Sequence, residues 1–331
     1  MNTNLSILLN EKNTDLTKFL TTDEDGVFYT GHASILVRLN KKKYLFDYIN
    51  NTNFYGNSWI FFPNQIIDKR LFNVDAVFVS HIHQDHYDPI LLRKFQKKEV
   101  PIFVLDGRPE FKSSLRKEKI KVKYIPAKKK TYIDGNTWVY GCLHEYNDID
   151  SSMLISNNNL SVYHGNDNFV TEKTLIPFKK KVGHIDVACV PFAYINYYPY
   201  LLNGITKKIN KLESTRIENL FMDYGIKQSK ILKPKIIIPF GSNLFHLDDP
   251  TCEMNKGVAT PVDFVNYSKI KDKSQSDNYK TMLSGSFCLK NNNNISLYYE
   301  NISSQKFDDE LIKFINKKKR LFKKIKKIKK I

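Results

Sequence analysis

From Gly26 onward, short apolar runs separated by polar turns recur along the chain, with the length and residue content of strands. Val27-Phe28-Tyr29, Ser34 to Leu39 and Lys43 to Asp47 form the first group, and the turn Asn40-Lys41-Lys42 predicts an antiparallel hairpin between the last two. Val74 to Val79 is a nearly continuous apolar run, the pattern of a strand covered on both faces. Asp88 followed by Pro89 predicts a helix start, because Asp caps free N–H groups and Pro suits the first helical position. Further strands are predicted at Ile102–Leu105, Thr137–Tyr140, Ser152–Ile155, Leu160–Tyr163, Val187–Val190 and Lys235–Pro239. Residues 212–231 read as a helix beginning near Ser214 and ending before Lys233-Pro234. Residues 1–20 are more polar and accommodate a short helix at most. Strand-rich halves with single helices between strands predict an α/β protein of two packed sheets with helices outside, and no linker divides it.

Composition changes this picture little. The chain has 331 residues, 41% of them apolar, enough for a sizeable core. No stretch holds 18 consecutive apolar residues, which speaks against a spanning helix and against a secretory signal. Cys142, Cys189, Cys252 and Cys288 are scattered without disulfide or zinc-finger spacing, as in reduced thiols of a cytoplasmic protein. The net charge of +18 is concentrated: residues 311–331 hold eleven Lys or Arg and no acid, leaving about +7 for the rest. A charge carried mainly by one terminus does not define a nucleic-acid-binding surface, and that function class is disfavoured.

The chemistry concentrates in Ser80-His81-Ile82-His83-Gln84-Asp85-His86-Tyr87-Asp88. His81 and His83 leave a buried strand two residues apart, so in extended backbone both imidazoles share one side. Asp85 and His86 then occupy the turn into the helix capped by Asp88. Three imidazoles and a carboxylate this close suit divalent metals that take N and O ligands.

His-x-His-x-Asp-His after a buried strand resembles the signature of the metallo-β-lactamase superfamily. That resemblance implies an αββα sandwich with two divalent metal ions at one edge of the sheets. Zinc or iron is expected, and manganese also fits such ligands. By the resemblance His81 and His83 serve one metal, and Asp85 and His86 the other. Gly31-His32-Ala33-Ser34 and the hairpin ending at Asp47 are similar to the opening of many members, in which that aspartate supports the ligand loop. Gly56-Asn57-Ser58-Trp59 through Pro63, Val190 to Ala193 and Ile238 to Gly241 resemble, on shorter motifs, the branch containing the catalytic domain of CMP-N-acetylneuraminate hydroxylase.

The same resemblance implies three further ligands. His144 follows a strand and is expected as the third ligand of the first metal; Asp167, after Leu160–Tyr163, is expected as a carboxylate bridging both. A final histidine normally follows a strand such as Ile236–Pro239 directly, but Phe240, Gly241 and Ser242 stand there and His246 comes later. His246 is the candidate that reaches the second metal through a longer loop. His164 suits ligation or packing equally, His184 suits a structural role, and His32 suits support of the site or contact with substrate.

Two reactions follow. The first is a dinuclear metal-dependent hydrolase, in which a metal-bound hydroxide oriented by Asp85 attacks an ester, phosphodiester or amide. Its substrate would be a small, anionic molecule met by side chains of the Tyr194–Tyr200 loop. The alternative is a non-haem di-iron oxygenase (a hydroxylase) on the same fold. Cys142-Leu143-His144 has half the spacing of a Rieske cluster and no partner pair exists, so electrons would come from a separate protein. A non-enzymatic scaffold would have no need of the ligand set. Residues 1–310 are expected as the metallo-β-lactamase-like domain and 311–331 as a basic tail, helical or disordered. In that tail Phe314, Leu321, Ile325 and Ile328 stand at helical spacing among lysines, a pattern able to make peripheral contact with an anionic membrane.

Overall fold

The structure, a computed structural model, describes residues 14–50, 59–147, 149–194, 198–242, 244–247 and 251–328, with side chains omitted at 14, 251, 256 and 321–328. Gly56, Asn57 and Ser58 of the branch motif lie outside the described residues, as do 195–197 of the expected substrate loop.

Sixteen strands are described: β1 Asp25–Gly31, β2 Ser34–Leu39, β3 Lys42–Phe46, β4 Trp59–Phe61, β5 Ala76–Val79, β6 Ile102–Leu105, β7 Lys123–Ile125 and β8 Thr131–Asp134; then β9 Thr137–Leu143, β10 Ser151–Ser156, β11 Ser161–His164, β12 Val187–Pro191, β13 Ile236–Phe240, β14 Leu244–His246, β15 Phe287–Asn291 and β16 Asn294–Tyr298. They form an eight-stranded sheet in the order β16-β15-β1-β2-β3-β5-β6-β7, a six-stranded sheet in the order β13-β12-β11-β10-β9-β8, and the pair β14-β4. The predicted hairpin is present, with Ile35 opposite Phe46 and Leu39 opposite Lys42. From β3 onward pairing in the first sheet turns parallel, which brings the end of β5 beside the end of β3.

Period-two alternation sorts the apolar side chains into layers. On β1, Val27 and Tyr29 point between the two sheets, where they join Phe46, Phe78, Met153, Val162, Cys189 and Ile238. Phe28 points outward to α1 (Thr14–Leu20), α2 (Pro89–Lys97) and α3 (Pro109–Lys117), against Phe19, Phe95 and Phe111. The outer face of the second sheet is covered by α4 (Glu172–Val182), α5 (Lys207–Leu232) and α6 (Pro261–Lys271) through Phe178, Met222 and Phe264. The result is the expected αββα sandwich. β5 is fully buried, as its apolar run requires, with Phe78 on the inner face and Val77 and Val79 on the outer.

Local signals explain the helix limits. Asp88 accepts from the Leu91 N–H at 2.9 Å and Pro89 opens α2 as predicted. The helix expected over 212–231 begins earlier, at Lys207, because the Thr206 hydroxyl caps it by accepting from the Ile209 N–H. It ends where Lys233 turns left-handed (φ 45°) ahead of Pro234. The junction expected at residue 310 falls within α7 (Ser304–Ile328). Phe307, Leu311 and Phe314 of that helix pack with Phe62, Phe245, Val262 and Leu283, so its first half belongs to the folded body. Among the described residues no helix is long and apolar enough to cross a membrane. All four cysteines are free thiols.

Candidate metal centre

The loop after β5 is anchored before it offers any ligand. Asp47, at the end of β3 in a left-handed conformation (φ 42°), accepts from the Ser80 N–H at 2.7 Å through Oδ1 and from the Ser80 hydroxyl through Oδ2. With its proton on Asp47, the Ser80 oxygen accepts from His81 Nδ1 at 2.9 Å. Asp47 Oδ2 also takes the Nδ1 proton of His86 at 2.9 Å. Both imidazoles are thereby fixed with Nε2 facing inward, the arrangement by which a carboxylate orients metal-binding histidines.

Besides the Asp47, His81 and His86 trio, which supports the loop from behind, two groups of candidate ligand atoms result. His81 Nε2 lies 2.8 Å from His83 Nδ1, and both rings gather with Asp167. His86 gathers with Asp85 and His32, its Nε2 3.5 Å from Asp85 Oδ2. Asp167 touches both groups, since its Oδ2 also lies 3.0 Å from His86 Nε2. That close approach depends on Gly241 (φ 82°), where a Cβ would stand 2.7 Å from Asp167 Oδ1. His81, Asp85 and His86 are buried, whereas the Asp167 side chain is 28% exposed and opens the site to solvent.

The electrostatics fit a cation-binding cluster. Burial, with His86 and His83 nearby, pushes the His81 imidazole well below its ordinary pKa. Burial works against a charged His86 too, but Asp167, Asp85 and Asp47 outweigh it and raise that imidazole well above the ordinary value. Asp85 would be raised by burial, yet His86 and His32 hold its carboxyl well below the usual range. Carboxylates on both sides of His86 thus call for positive charge at its Nε2, which a proton or a divalent metal satisfies.

Not every expected ligand is brought in. His144 lies outside both groups: its Nδ1 accepts from the backbone N–H groups of Tyr146 and Asn147 at 3.0 and 3.1 Å, so its lone pair is engaged in the loop. At the other end of that loop, Asp150 was not anticipated. Its Oδ1 is buried without a hydrogen bond and lies 3.7 Å from His81 Nε2. Burial and the Asp167 charge push its carboxyl upward, as expected of an anion lacking its counter-charge. Arg108 staples the loop by donating to the carbonyls of His144 and Asp150 at 3.3 and 2.9 Å. A sequence signal existed: Asp150 immediately precedes β10, at the edge where the other ligands emerge.

His246 also stays outside both groups, on β14 opposite Trp59, whose ring is 4.5 Å away. Neither ring nitrogen has a hydrogen bond, and burial lowers its pKa to about 4. His164 lies beneath the site between Phe46 and Phe240, with Nε2 donating to the Ala33 carbonyl at 3.0 Å. His32 stacks on Phe61 and holds Asp85 Oδ2 at 3.0 Å from its Nε2. His184 is a surface residue paired with Asp186 at 3.1 Å.

Comparison with known proteins agrees with this architecture. A family model described as a beta-lactamase superfamily domain matches residues 26–217. A protein of Mycolicibacterium smegmatis named as a Rieske 2Fe-2S iron-sulfur protein is 33% identical over 90 residues, covering 26% of this chain and only 17% of that one. Among solved structures, a metallo hydrolase from the hyperthermophilic archaeon Ignicoccus hospitalis superposes with a TM-score of 0.53 at 13% identity, over 84% of this chain and 99% of that chain. An isothiocyanate hydrolase from Delia radicum gut bacteria gives 0.53 at 14% identity, over 79% and 98%. At such identities the structures speak for the fold alone. The family match spans more than half the chain and contains the whole histidine loop, so the protein belongs to the metallo-β-lactamase-fold superfamily.

Proposed function

We propose that the protein is a dinuclear metal-dependent hydrolase acting on an ester, phosphodiester or amide of a small molecule. The observation that carries this reading is Asp167, a partly exposed carboxylate that touches both groups of nitrogen and oxygen atoms able to hold a metal. His81, His83 and Asp150 would hold one ion, Asp85 and His86 the other, with Asp167 shared. A pair of divalent ions supplies Lewis acidity and a water of lowered pKa.

The chain's own residues do the rest. Asp47 keeps the Nδ1 protons of the ligand loop in place through Ser80 and His86. Asp85 stays ionised, held by His32 through Oδ2, and would orient a water at the centre. Zinc, iron and manganese all suit this donor set. The test is reconstitution with zinc and assay against p-nitrophenyl acetate and bis(p-nitrophenyl) phosphate. Turnover lost in Asp167→Ala and His83→Ala supports the reading, and zinc-loaded protein inert toward both sinks it.

A second reading, a di-iron oxygenase fed electrons by a separate protein, draws on the relative named as a Rieske protein. Metal analysis after anaerobic purification separates the two. Tightly bound zinc in a colourless protein removes the oxygenase.

A further inference from the structure

Four aromatic rings meet on three segments that adjoin the candidate metal centre. Phe169 comes two residues after Asp167, so their Cα atoms are at most about 7 Å apart. Its ring lies 5.1 Å from Phe221 and 6.2 Å from Tyr224, both on α5. Tyr194, just past β12, stacks on Phe221 at 5.3 Å with 25° between the ring planes.

The backbone around them is tied to the ligands. Phe221, Tyr224 and Gln228 stand three and four residues apart, hence on one face of α5. Gln228 pins that face to the ligand loop by donating to the Asn168 carbonyl at 3.0 Å. Gly225 lets the helix close on the end of β12, since a Cβ there would meet the Pro191 carbonyl at 2.7 Å. Ser242, next to the Gly241 that abuts Asp167, donates to the carbonyl of Ala193, next to Tyr194.

Despite this tight framing the rings are not enclosed. Tyr194 is 52% and Tyr224 39% exposed, while Phe169 and Phe221 are half-buried. A fixed aromatic surface at the rim of a polar centre is suited to hold a flat apolar group by stacking.

We propose that Phe169, Tyr194, Phe221 and Tyr224 bind a planar aromatic group of the substrate whose reacting end sits at the metal centre. The inference rests on the metal-dependent reading above and narrows its substrate class to aryl compounds.

The experiment compares phenylphosphonate with methylphosphonate, binding to the zinc-loaded full chain by calorimetry. Both offer the same anion to the metals and differ in the ring. The wild type should bind the phenyl compound about tenfold more tightly, the scale of one good aromatic contact. In Phe221→Leu, which keeps packing volume, and in Tyr194→Ala, the preference should shrink to within about twofold while methylphosphonate affinity stays unchanged. Equal binding of both compounds by the metal-loaded wild type would overturn the aryl site alone. A preference that survives both substitutions, or a wild-type dimer that dissociates on Phe221→Leu with the preference intact, would overturn it as well. A protein that retains no zinc and binds neither phosphonate would overturn the metal reading and this inference together.

Discussion

Asp47 Oδ2 accepts a hydrogen bond from His86 Nδ1 at 2.9 Å, a contact that joins residues 39 positions apart and sets which nitrogen of His86 faces the site. The same carboxylate holds Ser80 by its backbone N–H and its hydroxyl. Asp47→Ala is expected to lower metal affinity about 10–100-fold, the usual effect of removing a carboxylate behind a ligating histidine. It should also cost about 1–3 kcal/mol for each buried donor left unpaired. Equilibrium dialysis with zinc and chemical denaturation read the two effects. Unchanged zinc affinity would mean that Asp47 serves the fold only.

The loop between β9 and β10 offers His144 at one end and Asp150 at the other. Because His144 Nδ1 accepts two backbone N–H groups and Asp150 Oδ1 is buried without a donor, the two substitutions should part company. Asp150→Ala is expected to lose one metal equivalent per chain and His144→Ala to lose none, by inductively coupled plasma mass spectrometry. The opposite outcome would require the loop to reverse when metal binds.

Gly241→Ala tests the approach of Asp167. A Cβ at φ 82° and 2.7 Å from Asp167 Oδ1 is strained and displaces the carboxylate that touches both ligand groups. We expect a backbone cost of about 1–2 kcal/mol, with loss of metal at a temperature where the variant is still folded. Near-ultraviolet circular dichroism beside metal content separates the two, and full metal content would refute the displacement.

Glu218, on α5, is raised to about 7 by burial, with the Asp263 charge adding to it. Its ordinary value is 4.5, so between these values the folded chain binds a proton that the unfolded chain does not. Stability contributed by this group is therefore present below pH 4.5 and falls as pH rises toward 7. Glu218→Gln should be more stable than wild type at pH 8 by about 1 kcal/mol, allowing for solvent screening of this partly exposed group. The advantage should vanish at pH 4.5. Urea unfolding at the two pH values measures it, and an equal gain at both would assign the effect to packing instead.

What the sequence revealed and what it hid divide along a physical line. β5, the Asp88-Pro89 helix start and the candidate ligands His81, His83, Asp85 and His86 rest on neighbours in the chain, and each was readable there. Asp150 carried only its place just ahead of β10 as a local signal, because its position is fixed by Arg108 from 42 residues away. The helix Glu172–Val182 escaped notice because Pro177 lies inside it. The capping box of Thr260 and Asp263, with Pro261 at the first helical position, is a local signal for α6, a helix that the expectations above do not include. The aromatic rim is assembled from three segments, and only Tyr194 belonged to a loop expected to meet substrate.

The pairing of β1 with β15 has a temporal consequence. Asp25 to Phe28 lie opposite Phe287 to Lys290, about 260 residues further along the chain. During synthesis from the N-terminus, one edge of β1 therefore waits for its partner until β15 has been made. At ribosomal rates of about 5–20 residues per second, that wait is roughly 13 to 52 seconds. Throughout it a strand carrying Val27, Phe28 and Tyr29 presents unpaired backbone groups, the kind of edge that invites pairing with other chains. β15 thus guards β1 against aggregation, and a ribosome stalled before residue 287 would release a chain lacking that protection.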